Sequence, residues 1–566
     1  MKHILSILRI ISVLLITPFA FSQSADVIYK NGKIYTVNEA HDWAEAMAIS
    51  NGKFIHVGSM DEINNLISPA TKVIDLEGSM VMPGINDLHA HPMDAGQKKL
   101  LECGFPITLP IDKIISRLKH CAKNTHEGQW IRGARWPAEF LQSTTVPHKS
   151  LLDKASRDHP VYIHLSHGAL FNSKALEVLG ITSDKPGPGI EQDKHGGPSG
   201  VLKGNAFHGA LKRIPAYSDS QNLEALRWSL AQLNKVGVTS VKEASAHGDT
   251  LKAYSTLDRS GQLTLRVASS LVWKYSTTEA TEKEKKDITQ RAMYESERHD
   301  PNFIKIVLDG IPPMRTAAML DPYVADDVHG DNFTGDLKHA PEQLKLDVTQ
   351  LDAQGLTVKI HATGDRSLRV SLDAFEAARK LNNNNELIHE VAHAEFIHAD
   401  DMSRFGKLNV AAEMSPVIWY PSPLSIAAGK AVGEVKGTRI YPVKSLLQAG
   451  ALVIYGSDWP SVDPVPSPWP GLEAMVTRRN PHTNTGEQFW PEQAIALTEA
   501  IQIYTQNGAV AMKKGTVSGS IETGKYADFI VLDRNLFDVP ITSVSETKVL
   551  LTVFEGQVVH DARIVP

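Results

Sequence analysis

Apolar and polar positions change rhythm twice along the chain. From residue 26 to about 80 they alternate at the two-residue period of half-buried strands, as in DVIYKNGKIYTV and AMAISNGKFIHVG. Each run is split by an Asn-Gly pair, Asn31-Gly32 and Asn51-Gly52, which supplies the positive φ angles of a tight hairpin. The C-terminal end returns to this style in YADFIVLDRN and LLTVFEGQVVHD, with Glu555-Gly556 at the turn. Two segments of one character at opposite ends predict one small β-sandwich domain built from both termini, over 23–80 and 511–566.

The middle, 81–510, reads differently. Near-continuous apolar runs (VYIHLS, TSVKEAS, LRVASSLVW, FIKIVLDG, TVKIHATGD, NVAAEMSP, ALVIYGSD) are spaced by stretches of helical period such as NLEALRWSLAQLNKVG and SLRVSLDAFEAARK. Strands that are apolar on both faces and separated by helices imply a buried parallel sheet. So many repeats over this length favour a closed (β/α)8 TIM barrel over an open sheet, in a chain of α/β class.

Before the first strand lies ILSILRIISVLLITPFAF, with Lys2 and Arg9 as its charges and small residues at Ala20 and Ser22. This is the layout of a secretory signal peptide over 1–22, cleaved before Gln23. It predicts a periplasmic or secreted protein with no stable membrane insertion after cleavage. No later segment has enough unbroken apolar residues to span a bilayer.

Composition then narrows the chemistry. Apolar residues make up 42% and charged residues 22%, so the chain is an ordinary globular one. The net charge of −6 comes without a basic stripe, which argues against nucleic acid as a partner. Two cysteines, Cys103 and Cys121, exclude a disulfide scaffold and a Cys-rich zinc module. Bridged and free thiols both remain open. The 23 histidines are the more telling count.

His89 and His91 end the run VMPGINDLHAH, one residue apart and so on one strand face. His361, His393 and Asp458 stand at or near the ends of other apolar runs, and Lys305 sits inside one. Active sites of barrels collect at the C-terminal ends of the strands. Four His and one Asp gathered there suit Zn²⁺ or a similar divalent ion. A competing motif overlaps His393. His389-Glu390-Val391-Ala392-His393 spells H-E-x-x-H, which in zinc proteases lies on a helix and here predicts one through 387–398.

In these residues the chain resembles the metal-dependent amidohydrolase superfamily, in its YtcJ-like (amidohydrolase-3) branch. The motifs VMPGINDLHAH, SHGALFNSKALEVLGI, KIVLDGIPPMRTAAMLDPY, KIHATGDRSLRVSLDAFE, YGSDWP and GSIETGKYADFIVLD match it in order over nearly the whole mature chain. The resemblance implies one or two divalent metals, Zn²⁺ first among them. His89 and His91 would hold one with Asp458, and His361 and His393 the second. Lys305 would be a carboxylated lysine bridging both. It implies hydrolysis of a C–N bond in a small molecule, an amide or N-acyl amine, with Asp458 as general base and acid. A divalent ion lowers the pKa of water to about 7, so a hydroxide nucleophile exists at neutral pH. Deamination and cyclic-amide opening use the same site, and a non-catalytic binding protein is the remaining alternative. The segment around Arg315 departs from the branch by Pro312-Pro313, Ala392 replaces an acid, and Ala134-Arg135-Trp136-Pro137 replaces a Gly-Trp-Asp stretch. These departures leave substrate identity open. Trp136, His167, Asn172, Arg315, Trp419, Tyr420 and Trp459 are the candidate substrate-binding residues, the aromatic ones as a pocket for an apolar acyl group. The sequence is compatible with a homo-oligomer.

Overall fold

The computed structural model describes residues 24–106, 109–135, 147–165, 168–182, 187–274, 279–416 and 418–563. At its centre is a sheet of eight parallel strands: Ile85–Ala90 (β1), Val238–Ala246 (β2), Arg266–Val272 (β3), His299–Val307 (β4), Thr357–Ala362 (β5), His389–His393 (β6), Val410–Met414 (β7) and Leu452–Tyr455 (β8). They pair in chain order from β1 to β8. The first and last meet just past their ends. Asp458 N donates to His89 O at 2.6 Å and His91 N donates to Trp459 O at 2.7 Å, which nearly closes the barrel. Strands such as β1 and β3 are buried along their whole length, which is why their sequences show no alternation of apolar and polar residues.

The sandwich from both termini is present. One sheet orders the strands 53–58, 46–50, 27–30 and 72–75. The other orders 557–561, 549–554, 529–532, 80–83, 33–35 and 43–44, and so joins the two chain ends. Tyr29, Ile34, Phe54, Val81, Phe529 and Val553 fill the space between them. Asn51-Gly52 and Glu555-Gly556 are hairpin turns, with φ of 50° and 74° in the first and 47° and 75° in the second. Asn31-Gly32 is not a hairpin. Its flanking strands belong to different sheets, so the positive φ of Asn31 (55°) carries the chain across the sandwich. Arg266 locks the sandwich to the barrel. Its buried guanidinium donates to Asp528 Oδ2 and Glu555 Oε1, both at 2.7 Å.

One run was assigned to the barrel and lies elsewhere. VYIHLS forms strand Val161–Leu165 of a separate five-stranded sheet between β1 and β2, with strands 131–135, 168–171, 190–192 and 198–203. Local apolar pattern cannot tell a barrel strand from an equally buried strand of an inserted sheet. Cys103 and Cys121 are bridged at the base of this insertion. Among the described residues no helix is long and apolar enough to cross a membrane. The signal segment 1–22 lies outside the described residues.

Candidate metal centre

The C-terminal ends of the strands bring four imidazoles into a chain. The His361 and His393 rings are 4.6 Å apart between centroids, His393 and His89 4.7 Å, and His89 and His91 5.6 Å. His89 and His91 follow from alternation at the end of β1. His393 does not, because inward alternation in β6 falls on Glu390 and Ala392. A left-handed turn, with φ 68° at His393 and 41° at Ala394, swings the ring into the mouth. Asp458 (φ 54°) is turned inward in the same way after β8. Its Oδ1 lies 3.1 Å from His91 Nε2 and 3.7 Å from His89 Nε2. Lys305 Nζ lies 3.3 Å from His89 Nε2.

Among the described residues, two groups of potential ligand atoms each gather within 4.8 Å: His89, His91 and Asp458, and His89, His393 and Glu413. Glu413, on β7, was missed by the sequence reading. The available signal is an acid on the inward face of an apolar strand, NVAAEMSP. Its Oε2 is 2.5 Å from His89 Nδ1, and its Oε1 accepts from Ser415 Oγ at 3.1 Å. Ser415 Oγ in turn meets His393 Nδ1 at 3.2 Å. A carboxylate only accepts, so His89 and His393 carry their protons on Nδ1 and present Nε2 lone pairs to the centre. His361 Nε2 donates to Gly310 O at 3.1 Å, which leaves its Nδ1 lone pair free.

The electrostatics agree with this donor set. Burial first, then the neighbouring Lys305 charge, holds His89 well below its ordinary range, and burial first also lowers His361 and His393. Neutral imidazole is the form that binds metal. Burial also opposes charge on His91 and Asp458, but their mutual contact outweighs it, so His91 is raised and Asp458 is held far below the usual carboxylate range. Burial, then the charge of Lys359, brings the Lys305 amine down to about 7. Lys305 makes no ion pair among the described residues, an unusual state for a buried lysine. The residues present therefore fit a divalent ion: His89, His361 and His393 are held neutral, the Asp458 carboxylate is ionised, and His91 and the Lys305 amine stand beside them.

Below the centre, Glu390 bridges Lys242 and Lys359 inside the barrel, all three buried. The expected helix over 387–398 is absent, since 389–393 is strand β6. His389 points the other way, into the wall between barrel and helices, where Nε2 meets Asp352 Oδ1 at 2.9 Å and the ring stacks on Phe375. H-E-x-x-H needs its two His on one helical face, whereas here they stand on a strand and the left-handed turn at His393 swings its ring into the mouth while His389 stays in the wall. The protease reading fails on that geometry.

The proposed substrate residues scatter. Trp136 and His167 lie outside the described residues. Asn172 is buried in the insertion and caps the helix Ser173–Val178, accepting from Ala175 N at 2.8 Å and donating to His159 O at 2.9 Å. Arg315 pairs with Asp326 at 2.8 Å and donates to Val324 O, holding its own loop. Trp459 is buried, stacked on Trp228 and bonded to Pro464 O. Tyr420 is buried with its hydroxyl on His482 Nε2 at 3.1 Å. Trp419 is buried against Tyr441. These aromatics pack rather than line an open apolar pocket. The open cavity beside the centre, about 380 Å³, is polar and is walled by His91, Glu243, Ser245, His247, Asp249 and Ser461. Glu243 is buried there, and burial pushes its carboxyl up to about 7.

Comparison with known proteins gives a concordant picture. A family model described as amidohydrolase family matches residues 72–560. The chain is 27% identical over 553 residues to the N-substituted formamide deformylase of Arthrobacter pascens, covering 94% of this chain and 98% of that one. It is 26% identical over 546 residues to the YtcJ protein of Bacillus subtilis, covering 94% and 99%. Among solved structures, an uncharacterized metal-dependent hydrolase from Pyrococcus horikoshii superimposes with a TM-score of 0.74 at 25% identity, over 91% of this chain and 99% of that one.

Proposed function

From the premise that this chain belongs to the amidohydrolase family and is a metal-dependent hydrolase of C–N bonds, we propose that it cleaves acyclic N-acyl amines, N-substituted formamides among them. The observation that carries this reading is the convergence of His89, His91, His361, His393, Asp458 and an unpaired Lys305 at the barrel mouth. His89, His91 and Asp458 would hold one Zn²⁺ ion, and His361 and His393 a second. Lys305, carboxylated on its amine, would bridge the two. The metal supplies Lewis acidity: it polarises the acyl carbonyl and acidifies water.

The protein's own part is proton handling and orientation. Asp458 Oδ1 is engaged by His91 and by Ser461 Oγ at 3.3 Å, while Oδ2 makes no hydrogen bond among the described residues. Oδ2 is therefore the atom that takes the proton from the attacking water and returns it to the departing nitrogen. The polar cavity on the His91 side receives the amine portion of the substrate. Residues 1–22 direct export, and the Cys103–Cys121 bridge accords with a periplasmic or extracellular protein.

The test is a product assay on metal-loaded protein with N-butylformamide, N-butylacetamide, a cyclic amide and an aminopurine. Release of butylamine with formate or acetate supports the proposal. Ammonia from the aminopurine alone, or ring opening alone, refutes it in favour of deamination or cyclic-amide hydrolysis.

A further inference from the structure

The segments that follow β1 and end β2 enclose the open cavity beside the centre. The helix Pro92–Leu100 supplies Asp94 and Gln97, the end of β2 supplies Glu243 and Ser245, and the helix Gly248–Arg259 supplies Asp249. His91 forms one wall, and Ser461, whose Oγ donates to Asp458 Oδ1 at 3.3 Å, forms another. The cavity thus begins at a candidate metal ligand and beside the proposed proton carrier. Its volume of about 380 Å³ is that of a small-molecule site.

The lining is one-sided in its chemistry. Three carboxylates line it, and among the described residues no lysine or arginine does. Asp94 is already paired, with Lys98 of its own helix at 2.5 Å. Asp249 is exposed and makes no hydrogen bond or ion pair among the described residues. Glu243 decides the matter, because it is only 1% exposed. Its Oε2 accepts from Met93 N and from the Tyr254 hydroxyl, both at 3.2 Å. Its Oε1 accepts no hydrogen bond among the described residues, and His91 Nδ1, at 3.9 Å, is beyond hydrogen-bond reach. Proteins leave few buried acceptors unmet, so a buried carboxylate oxygen without a donor, on the wall of a cavity, calls for one from a ligand. The neutral groups lean the same way. Gln97 donates through Nε2 to Asn222 Oδ1 at 2.8 Å and keeps its oxygen, and Ser461 gives its proton to Asp458. Burial, then the Lys283 charge, holds His247 below its ordinary range, so it adds no positive charge at neutral pH. Such a wall disfavours an apolar or anionic group and suits a donor-rich cation.

We propose that this cavity is a subsite for an ammonium group: the amines whose acyl derivatives the enzyme hydrolyses carry a second, cationic nitrogen, which donates to Glu243 Oε1 and is further attracted by Asp249. This rests on the N-acyl amine reading above and narrows it to acyl derivatives of diamines. The acyl group then lies on the metal side of His91 and the alkyl chain runs past it into the cavity.

The test compares matched substrates on full-length, metal-loaded protein. N-acetyl-α,ω-diaminoalkanes, from ethane to hexane, are each set beside the N-alkylacetamide in which methyl replaces the ammonium, for wild type, Glu243→Gln and Asp249→Asn. A hydrogen bond to a charged group in a buried site is worth about tenfold or more in discrimination. The expected result is a kcat/KM at least about tenfold higher for the best cationic substrate than for its neutral partner. Glu243→Gln should cut that ratio about tenfold, and Asp249→Asn, more exposed and screened, about threefold. A ratio near one in wild type, or one that neither variant moves, overturns the inference. So does a Glu243→Gln protein that loses metal but keeps the ratio, which would make Glu243 a support for His91 alone. If Glu243→Gln does not fold, Asp249→Asn decides by the same ratio. Calorimetry with the free diamines and the matching alkylamines separates this inference from the functional reading. Protein that cleaves no acyl amine yet binds the diamine more tightly, through Asp249, retains the subsite and refutes the functional reading. Cleavage of acyl amines with no preference for a diamine in either assay refutes the subsite alone.

Discussion

Glu413→Gln tests the logic of the centre more sharply than removal of any ligand. The substitution keeps the side chain's size and removes only the charge. Oε2 lies 2.5 Å from His89 Nδ1, and Oε1 takes the Ser415 hydroxyl at 3.1 Å, which relays to His393 Nδ1 at 3.2 Å. One carboxylate thus fixes the tautomer and orientation of two imidazoles. Loss of a single such outer partner typically weakens metal binding about 10- to 100-fold. With two ligands released, the upper end applies: about 100-fold, or about 2.8 kcal/mol at tenfold per 1.4 kcal/mol. Ser415→Ala cuts only the His393 branch and should cost about tenfold. The assay is a zinc titration of stripped protein against a competing chelator, read for wild type, both single variants and the double variant. Because the serine acts through the carboxylate, the double variant should bind zinc no more weakly than Glu413→Gln alone. Affinity within twofold of wild type in Glu413→Gln would refute the orienting role, and a change in metal stoichiometry would make Glu413 a ligand instead.

Three further outcomes follow from the same contacts. Metal content by mass spectrometry should fall in His89→Ala/His91→Ala and hold in His389→Ala, since His389 is bonded to Asp352 on the far side of the barrel wall. Glu390→Gln leaves Lys242 and Lys359 buried without their shared counter-charge, and breaking such a buried set costs about 3–5 kcal/mol; a urea midpoint equal to wild type would contradict the ion network. Burial, then the neighbouring Asp309 charge, raises the Glu395 carboxyl from 4.5 to about 8. The folded protein then holds a proton that the unfolded chain releases, so the stability of metal-stripped protein should fall as pH rises from about 4.5 to 8. Glu395→Gln should flatten that slope in denaturation series across this range, and an unaltered slope would assign it to other groups.

Much of the architecture was legible because it is written in local periodicity. Seven of the eight barrel strands announce themselves as apolar runs or as the first-strand motif, each bounded by helical period, and fully buried parallel strands have no polar face to disguise them. The eighth, β6, was visible only as a misleading H-E-x-x-H. Five residues cannot reveal whether their period is two or 3.6 when both histidines and the glutamate are functional in one reading and His393 alone in the other. The inserted sheet over 131–203 was illegible for a related reason: its strand 161–165 is as apolar as those of the barrel, and its other strands are short or broken by polar residues.

The sequence by itself proposed the candidate donor set. His89, His91, His361, His393, Asp458 and Lys305 could be picked out because metal-ligating side chains stand against apolar strand ends and because the motifs around them resemble a known family. It also determined the pairing of the two termini, since both carry the same two-residue rhythm. Tertiary structure alone decided the rest. It drew Glu413 and Ser415 behind the imidazoles and turned His389 away. It also packed Trp419, Tyr420 and Trp459 into the protein interior. The physical reason is that a side chain's chemistry is local while its partners are not. Whether an acid orients a histidine, or a tryptophan faces solvent, depends on strands that are neighbours in the barrel and distant in the chain.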